Sequence, residues 1–364
     1  MSTSQSKNFL ERIVPQVRSG GGRNIVELAK GLHIPVETTR YRVKAMMKRG
    51  LRIYASVDYN KFDLTSYYAH LRLTTKGFDN EKKLFQVLAD TSYLTAYSKS
   101  LPTNEFICSF AVPEVRSTSS TVQRFVRALT EEGLVESSRI YKLSWTKSHM
   151  VQPEYFHLKR GTWQIDWAKL KKESPQPKEK SSPQETSGAE YDDLDVQIAR
   201  ELETNGLERL SGIAKKLKTT LNNVFYHFHK HIIAEKLIDG FVIGWFGSER
   251  QETLFAHMEF RNLSLDEERT ARSGLRKLPF LLTDAASLDS GHYFGQAILP
   301  TSQYLGMLNY LSSTLGDATS KLRVSVSDTR ARQWFHLPAH LYKNESWKFD
   351  PEDSASQVAS KIRK

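Results

Sequence analysis

Cysteine is almost absent from this 364-residue chain: Cys108 stands alone, so no internal disulfide and no Cys-rich zinc module can form, and a reducing cytoplasm is expected. No run of about 18 apolar residues occurs, so no membrane-spanning helix is expected. The opening Met1–Lys7 leads into no apolar stretch, and no secretory leader is expected either. Gly20-Gly21-Gly22 precedes no Lys-Ser/Thr pair, which excludes a Walker-type phosphate loop; a serine nucleophile elbow and paired catalytic carboxylates are missing too. Acid is in deficit. Against 52 Lys and Arg stand 41 Asp and Glu, a formal charge of +11, which favours a polyanionic partner such as nucleic acid or an anionic membrane surface. What is present is apolar material, 39% of residues with 11% aromatic, enough for packed cores.

The chain reads as one architecture written twice. Leu28-Ala29-Lys30-Gly31-Leu32 aligns with Ile213-Ala214-Lys215-Lys216-Leu217, and Tyr68-Ala69-His70-Leu71 with Phe255-Ala256-His257-Met258. Val112-Pro113 aligns with Leu299-Pro300, Tyr155-Phe156-His157-Leu158 with Trp334-Phe335-His336-Leu337, and Trp163 to Asp166 with Trp347 to Asp350. Five matches in one order argue for a repeat. The expected organisation is a helix-turn-helix unit at 8–60, a ferredoxin-like unit with a Trp-bearing extension at 64–167, and a Pro/Ser/charge-rich flexible linker at 168–191. A second helix-turn-helix unit at 192–247, a second ferredoxin-like unit with extension at 250–350, and a disordered tail at 351–364 complete it. The fold class is α+β.

Each half opens with three helices. In the second, Leu194, Ile198 and Leu202 form a stripe stopped by Asn205-Gly206; Leu210, Ile213, Ala214 and Leu217 form another. Thr220 then caps a third helix over 220–236 with Val224, Phe228 and Ile232 inward. In the first half the third helix covers 36–49, with Thr39 and Val43 inward. A third helix after a short turn is the geometry that enters the major groove. Between Arg23 and Arg52 eight Lys and Arg face two Glu, a charge density suited to phosphates. The expected DNA contacts are Thr38, Arg40, Tyr41, Arg42, Lys44 and Lys48 from the first half, and Asn222, Asn223, Tyr226, His227, His229 and Lys230 from the second. Three-helix units also serve as plain packing elements, and Phe225 and Tyr226 equally suit a protein partner.

Beyond the helices the period becomes 2. Strands at Tyr67–Leu73, Tyr93–Ser100, Phe106–Val112 and Arg139–Trp145 interleave with helices at Asp79–Leu88 and Thr121–Glu132. The second half repeats this β-α-β-β-α-β order over Thr253–Ser327. Helices cover one face of such a sheet; pairing with the other copy is expected to cover the second. His70 and His257 occupy equivalent strand positions and read as structural.

Leu194-Asp195, Ile198, Leu202, Asn205-Gly206, Ile213-Ala214-Lys215-Lys216-Leu217 and Val224, with Leu28-Ala29-Lys30, Thr39, Tyr41-Arg42-Val43 and Gly50-Leu51, resemble the helix-turn-helix of the Lrp/AsnC transcriptional regulators. The ferredoxin-like units resemble that family's second domain, with coverage of 8–146 and 192–328. The resemblance implies a non-enzymatic regulator that binds duplex DNA, lies with the nucleoid in the cytoplasm, self-associates through its ferredoxin-like domains and needs no cofactor. The family's effector turn, marked by Gly and Asp, is not reproduced in Leu101–Glu105 or Asp289–Tyr293, so a small-molecule effector is not expected. Two tandem units in one chain, and extensions carrying Trp163, Trp167 and Trp347, also depart from the family; the tryptophans read as covering an exposed face.

Sirohaem decarboxylases share this architecture and form the alternative. They would need His and Tyr lining a tetrapyrrole cavity between the sheets, for which His292-Tyr293 is the sequence candidate, and the basic third helix argues for DNA instead. A protein-interaction scaffold is the remaining alternative. His227 and His231 have metal-like i, i+4 spacing, but no local carboxylate or cysteine completes a set, so solvated or phosphate-contacting histidines are the preferred reading.

Overall fold

The computed structural model describes residues 3–18, 24–101, 103, 105–114, 120–172, 189–247, 252–288 and 291–363. The first helical group is α1 (Thr3–Arg18), α2 (Ile25–Leu32) and α3 (Val36–Met47), followed by β1 (Leu51–Val57). Asn24 caps α2 by accepting from the N–H groups of Val26 and Glu27, and Pro35 sets the entry to α3. Then come β2 (Leu64–Leu73), α4 (Thr75–Asp79), α5 (Glu81–Thr91), β3 (Leu94–Lys99), β4 (Glu105–Pro113), α6 (Thr121–Glu131) and β5 (Val135–Ser148). The extension holds β6 (Phe156–His157), β7 (Thr162–Trp163) and α7 (Trp167–Lys172). Residues 173–188, most of the expected linker, lie outside the described residues, as do 102, 104, 289 and 290 of the two effector-turn segments.

The second helical group is α8 (Asp193–Thr204), α9 (Leu210–Lys216) and α10 (Leu221–His227), then β8 (Ile238–Trp245). Thr220 accepts from the N–H of Asn223 at 3.2 Å, as a helix cap should. The expected helix over 220–236 is not continuous α: after His227 the backbone widens into a π turn over Phe228–Ile233. Val224, Phe228 and Ile232 still face the core, so the apolar stripe survives the change of winding. Next come β9 (Thr253–Phe260), α11 (Leu265–Arg276), β10 (Leu281–Ser287), β11 (Tyr293–Pro300), α12 (Tyr304–Thr314), β12 (Leu322–Asp328), β13 (Arg332–Trp334) and α13 (Pro351–Arg363).

Helix α13 corrects the expected disordered tail. Ala355, Val358, Ala359 and Ile362 repeat at i, i+3, i+4, i+7 and are buried against α5 and α6. Arg124 clamps Glu352 with two bonds of 3.0 and 2.8 Å, and Arg363 meets Glu132 at 2.6 Å.

Two antiparallel sheets organise the molecule. The ribbon β1–β8 joins the helical groups, with Leu51 opposite Trp245 and Val57 opposite Ile238. At its end Gly50 adopts φ +85°, and a Cβ there would lie 1.7 Å from the carbonyl oxygen of Gly247, so only glycine fits. The large sheet has nine strands in the order β12-β9-β11-β10-β5-β2-β4-β3-β13. Strands β5 and β10 join the two halves edge to edge, and the N–H of Leu101, just past β3, donates to Val326 in β12 at 2.7 Å, bringing the far ends together. The sheet thus closes around an interior. In β2, Ala69 and Leu71 pack on the helices, whereas Tyr68 and His70 point to the opposite, interior face, the alternation a strand imposes.

The extensions cross. Trp163 packs on Trp245 and Phe280, and the Trp167 indole N–H reaches Gln303 at 3.2 Å, all in the second half. In return β13 pairs with β3, and the Trp347 indole N–H donates to the carbonyl of Phe62 at 2.7 Å.

Candidate active site

A cavity of about 130 Å³ opens where the β1–β8 ribbon and α8 meet one end of the closed sheet. Strand β1 contributes Tyr54, β2 contributes Tyr68, α8 contributes Glu203, and β13 contributes Arg332 and Trp334. The Tyr54, Phe246 and Trp334 rings make an aromatic wall, with Tyr54 edge-on to the other two at 5.7 and 5.3 Å.

Arg332 is the cation of this cavity. Its guanidinium lies 4.9 Å from the Phe255 ring centre, and no carboxylate stands within ion-pairing distance of it among the described residues. Burial lowers its pKa to about 10, so it stays charged at neutral pH. Desolvating a guanidinium without a carboxylate is costly unless a ligand supplies one. Glu203 is the counterpart. Burial raises its carboxyl to about 7 although the Leu337 N–H, at 2.7 Å, and the Tyr59 hydroxyl, at 2.8 Å, both donate to it. A carboxyl poised there can give or take a proton near neutrality. Burial also raises the phenol of Tyr68, to about 12, and that of Tyr54, so both remain proton donors.

Behind Tyr68 lies the interior of the sheet. Tyr68 packs edge-on against His257 at 5.5 Å, and His257 against His70 at 5.3 Å. The four ring nitrogens of these histidines find no hydrogen-bond partner among the described residues. Burial first, then His70, lowers His257 to about 3, so its ring is neutral. Two carboxylates flank the pair: Glu105 is 3.9 Å from His70 Nδ1, and Glu259 is 4.0 Å from His70 Nε2. Glu105 is held at about 2 by His70 and by the guanidinium groups of Arg139 and Arg323. Burial alone would raise Glu259, but Arg261 at 2.8 Å and the Tyr141 hydroxyl at 2.6 Å bring it to about 2. The His292 ring lies tilted against Tyr141 at 5.0 Å, whereas the Tyr293 hydroxyl turns to the opposite face and donates to Asp284 at 2.7 Å. The two halves of the sequence candidate His292-Tyr293 are thus separated by strand alternation.

The expected DNA contacts divide. Tyr41, Lys44 and Lys48 are exposed on or just after α3; Thr38, Arg40 and Arg42 are half-buried, Arg40 beside Glu37 and Arg42 over the Phe9 ring. Asn222, Asn223, Tyr226, His229 and Lys230 are exposed on the second group. His227 is not a surface residue: it is buried, its Nδ1 bonded to Asp195 at 2.9 Å, so it is removed from the set of contacts. Arg332, Glu203 and Tyr54 escaped sequence reasoning; Arg332 follows β12 with no periodic signal around it.

The fold defined by this closed nine-stranded sheet with two helical groups has known counterparts. No family model and no curated protein matches the chain. The sirohaem decarboxylase NirDL matches 98% of this chain and 100% of its own at a TM-score of 0.55 with 10% identity. A structure of NirDL with an iron-uroporphyrin III analogue matches 97% of this chain and 99% of its own, at 0.52 and 11%. The regulator-type α+β architecture expected from sequence is thus found at full length in an enzyme. The expectation of a non-enzymatic protein is corrected accordingly, since the full-length matches are to a decarboxylase. No described helix is long and apolar enough to cross a membrane.

Proposed function

We propose that the chain is a decarboxylase for a carboxylate-bearing tetrapyrrole of the sirohaem class, with the Arg332 cavity as its substrate site. The observation that carries this is a half-buried guanidinium without a carboxylate partner among the described residues, facing an aromatic-walled cavity in a fold that matches NirDL end to end. The aromatic wall suits the flat face of a macrocycle, and Arg332 suits one of its carboxylates. In the reaction an acetate side chain loses CO2: the bond between its methylene and carboxyl carbons breaks, the electron pair stays on the methylene carbon, and a proton makes it a methyl group. The protonated phenols of Tyr54 and Tyr68 are placed to give that proton, and Glu203 to replace it. The repeated order of elements is read as two copies of one unit, which build this cavity together.

Incubating the full chain with sirohaem or iron uroporphyrin tests the reading. A shifted Soret band and loss of one CO2 mass per carboxyl are expected. Arg332→Met should weaken binding by about 1.5–3 kcal/mol, the worth of a charged hydrogen bond. No spectral change and no mass loss would sink the proposal.

A second reading rests on α3. Exposed Tyr41 and Lys44, with Lys48 just past its end, form a basic surface that the tetrapyrrole reaction does not use, and duplex DNA fits it. This would place the chain on the nucleoid.

A further inference from the structure

The second helical group holds a cluster that neither reading employs. Asp195, in the first turn of α8, is buried, and its two carboxylate oxygens point at two imidazoles. Oδ1 lies 2.9 Å from Nδ1 of His227, and Oδ2 lies 2.7 Å from Nδ1 of His231. The rings are 4.8 Å apart, and the candidate ligand atoms of all three residues fall within 4.8 Å of one another. The i, i+4 histidines come from the third helix, whereas the carboxylate comes from the first, 32 residues away from His227. A second carboxylate, Asp192, stands 3.6 Å from His227 Nδ1 and deepens the negative potential.

We propose that Asp195, His227 and His231 form a binding site for one divalent transition-metal ion of the Zn2+, Co2+ or Ni2+ type. Two imidazole nitrogens and one carboxylate oxygen are the donor set that such borderline ions take, with a fourth position left for water. The His231 side chain is 26% exposed, which provides an entry path, while Asp195 is closed off at 0%. A tetrahedral ion with bonds of about 2.05 Å spaces its ligand atoms by roughly 3.3 Å, so the N···O contacts need to open by about half an ångström. The π turn that begins after His227 and carries His231 is a winding found often at functional sites. Bound there, the ion pins α10 to α8 and fixes the outward face that carries Asn222, Asn223 and Tyr226.

The test uses the untagged full chain, stripped with chelator and titrated with Co2+ and separately with Zn2+. Visible d–d bands saturating at one Co2+ per chain and a raised Tm with Zn2+ are expected. His231→Ala and Asp195→Asn should weaken Co2+ binding by more than the roughly 10–100-fold that loss of a supporting partner costs. His229→Ala, a neighbouring exposed histidine, should leave the bands unchanged. If Asp195→Asn fails to fold by circular dichroism, His231→Ala decides. Absence of bands in the wild type at tenfold excess of Co2+, or unchanged bands in a folded His231→Ala, overturns the proposal.

Discussion

The two halves run through the same order of elements yet place their charges differently. In the first, cations are spent outward: Lys44 and Lys48 stand in solvent beside Tyr41. In the second, charge is drawn inward. Asp195 ties two histidines across the helical group, and Asp284 in β10 gathers Arg276, His149 and the Tyr293 hydroxyl within 2.7–2.8 Å. On β3, the corresponding strand of the first half, Tyr97 instead stacks on Phe85 at 4.0 Å. A similar order of elements thus says little about chemistry; where each half buries its ionised groups says more.

The contrast can be broken most forcefully at Asp284. Replacing it by Ala takes the carboxylate from a buried hydroxyl and a guanidinium and should cost about 3–5 kcal/mol, read as a fall in Tm and in denaturation midpoint. Its pKa is lowered to about 2 by His149 and Arg276, against the opposing effect of burial. A carboxyl depressed on folding stabilises above its unfolded pKa, so about 2 kcal/mol should be present above pH 4 and disappear as pH falls through 2. Wild-type acid unfolding should show this slope, and Asp284→Ala should lack it.

Glu203 sharpens the contrast in the opposite direction. Its carboxyl is raised to about 7 by burial, so its contribution is fully present below pH 4 and lost as pH rises through 7. Glu203→Gln should therefore be more stable than wild type above pH 7, by roughly 1–3 kcal/mol, and should lose decarboxylation that depends on proton return. Equal stability of the two proteins across that window would show that the carboxyl is not strained by its burial.

The smallest expected effect lies on the surface. On the second reading, in which α3 binds duplex DNA, replacing Arg40 and Lys44 by Ala should weaken that binding by about 1.4 kcal/mol and lower the salt slope by about two, as two phosphate contacts would. Replacing Asn222 and Asn223 should do less. Gel shifts at two salt concentrations rank them, and the reverse order would make the second group the reader.

Much of the fold was legible because period announces it. The strand expected at Thr253–Phe260 has those bounds, and the alternation expected over Tyr67–Leu73 appears in β2, where Tyr68 and His70 share the interior face. Composition misled where it hid a period: the Ser, Asp and Lys of 351–364 masked the Ala355, Val358, Ala359, Ile362 stripe of α13. The site was harder. His70 and His257 stood at matched positions, but only the closing of the sheet shows that their ring nitrogens lack partners among the described residues. Arg332 and Glu203 lie far apart in sequence and meet one cavity through strand β13 crossing to β3. Asp195 could not be assigned to His227 and His231 from spacing, because helix packing supplies the contact.

That crossing has a consequence for the order in which the chain is made. The edge of β3 and the faces of α5 and α6 are sealed by β13 and α13, which are synthesised long after them. The first half therefore leaves the ribosome with this part of its core uncovered and waits for α13 before it can close. Contacts of such long sequence separation slow folding and leave apolar surface open to capture meanwhile. An arrangement that fastens the early strands with a late helix makes the molecule's birth dependent on α13.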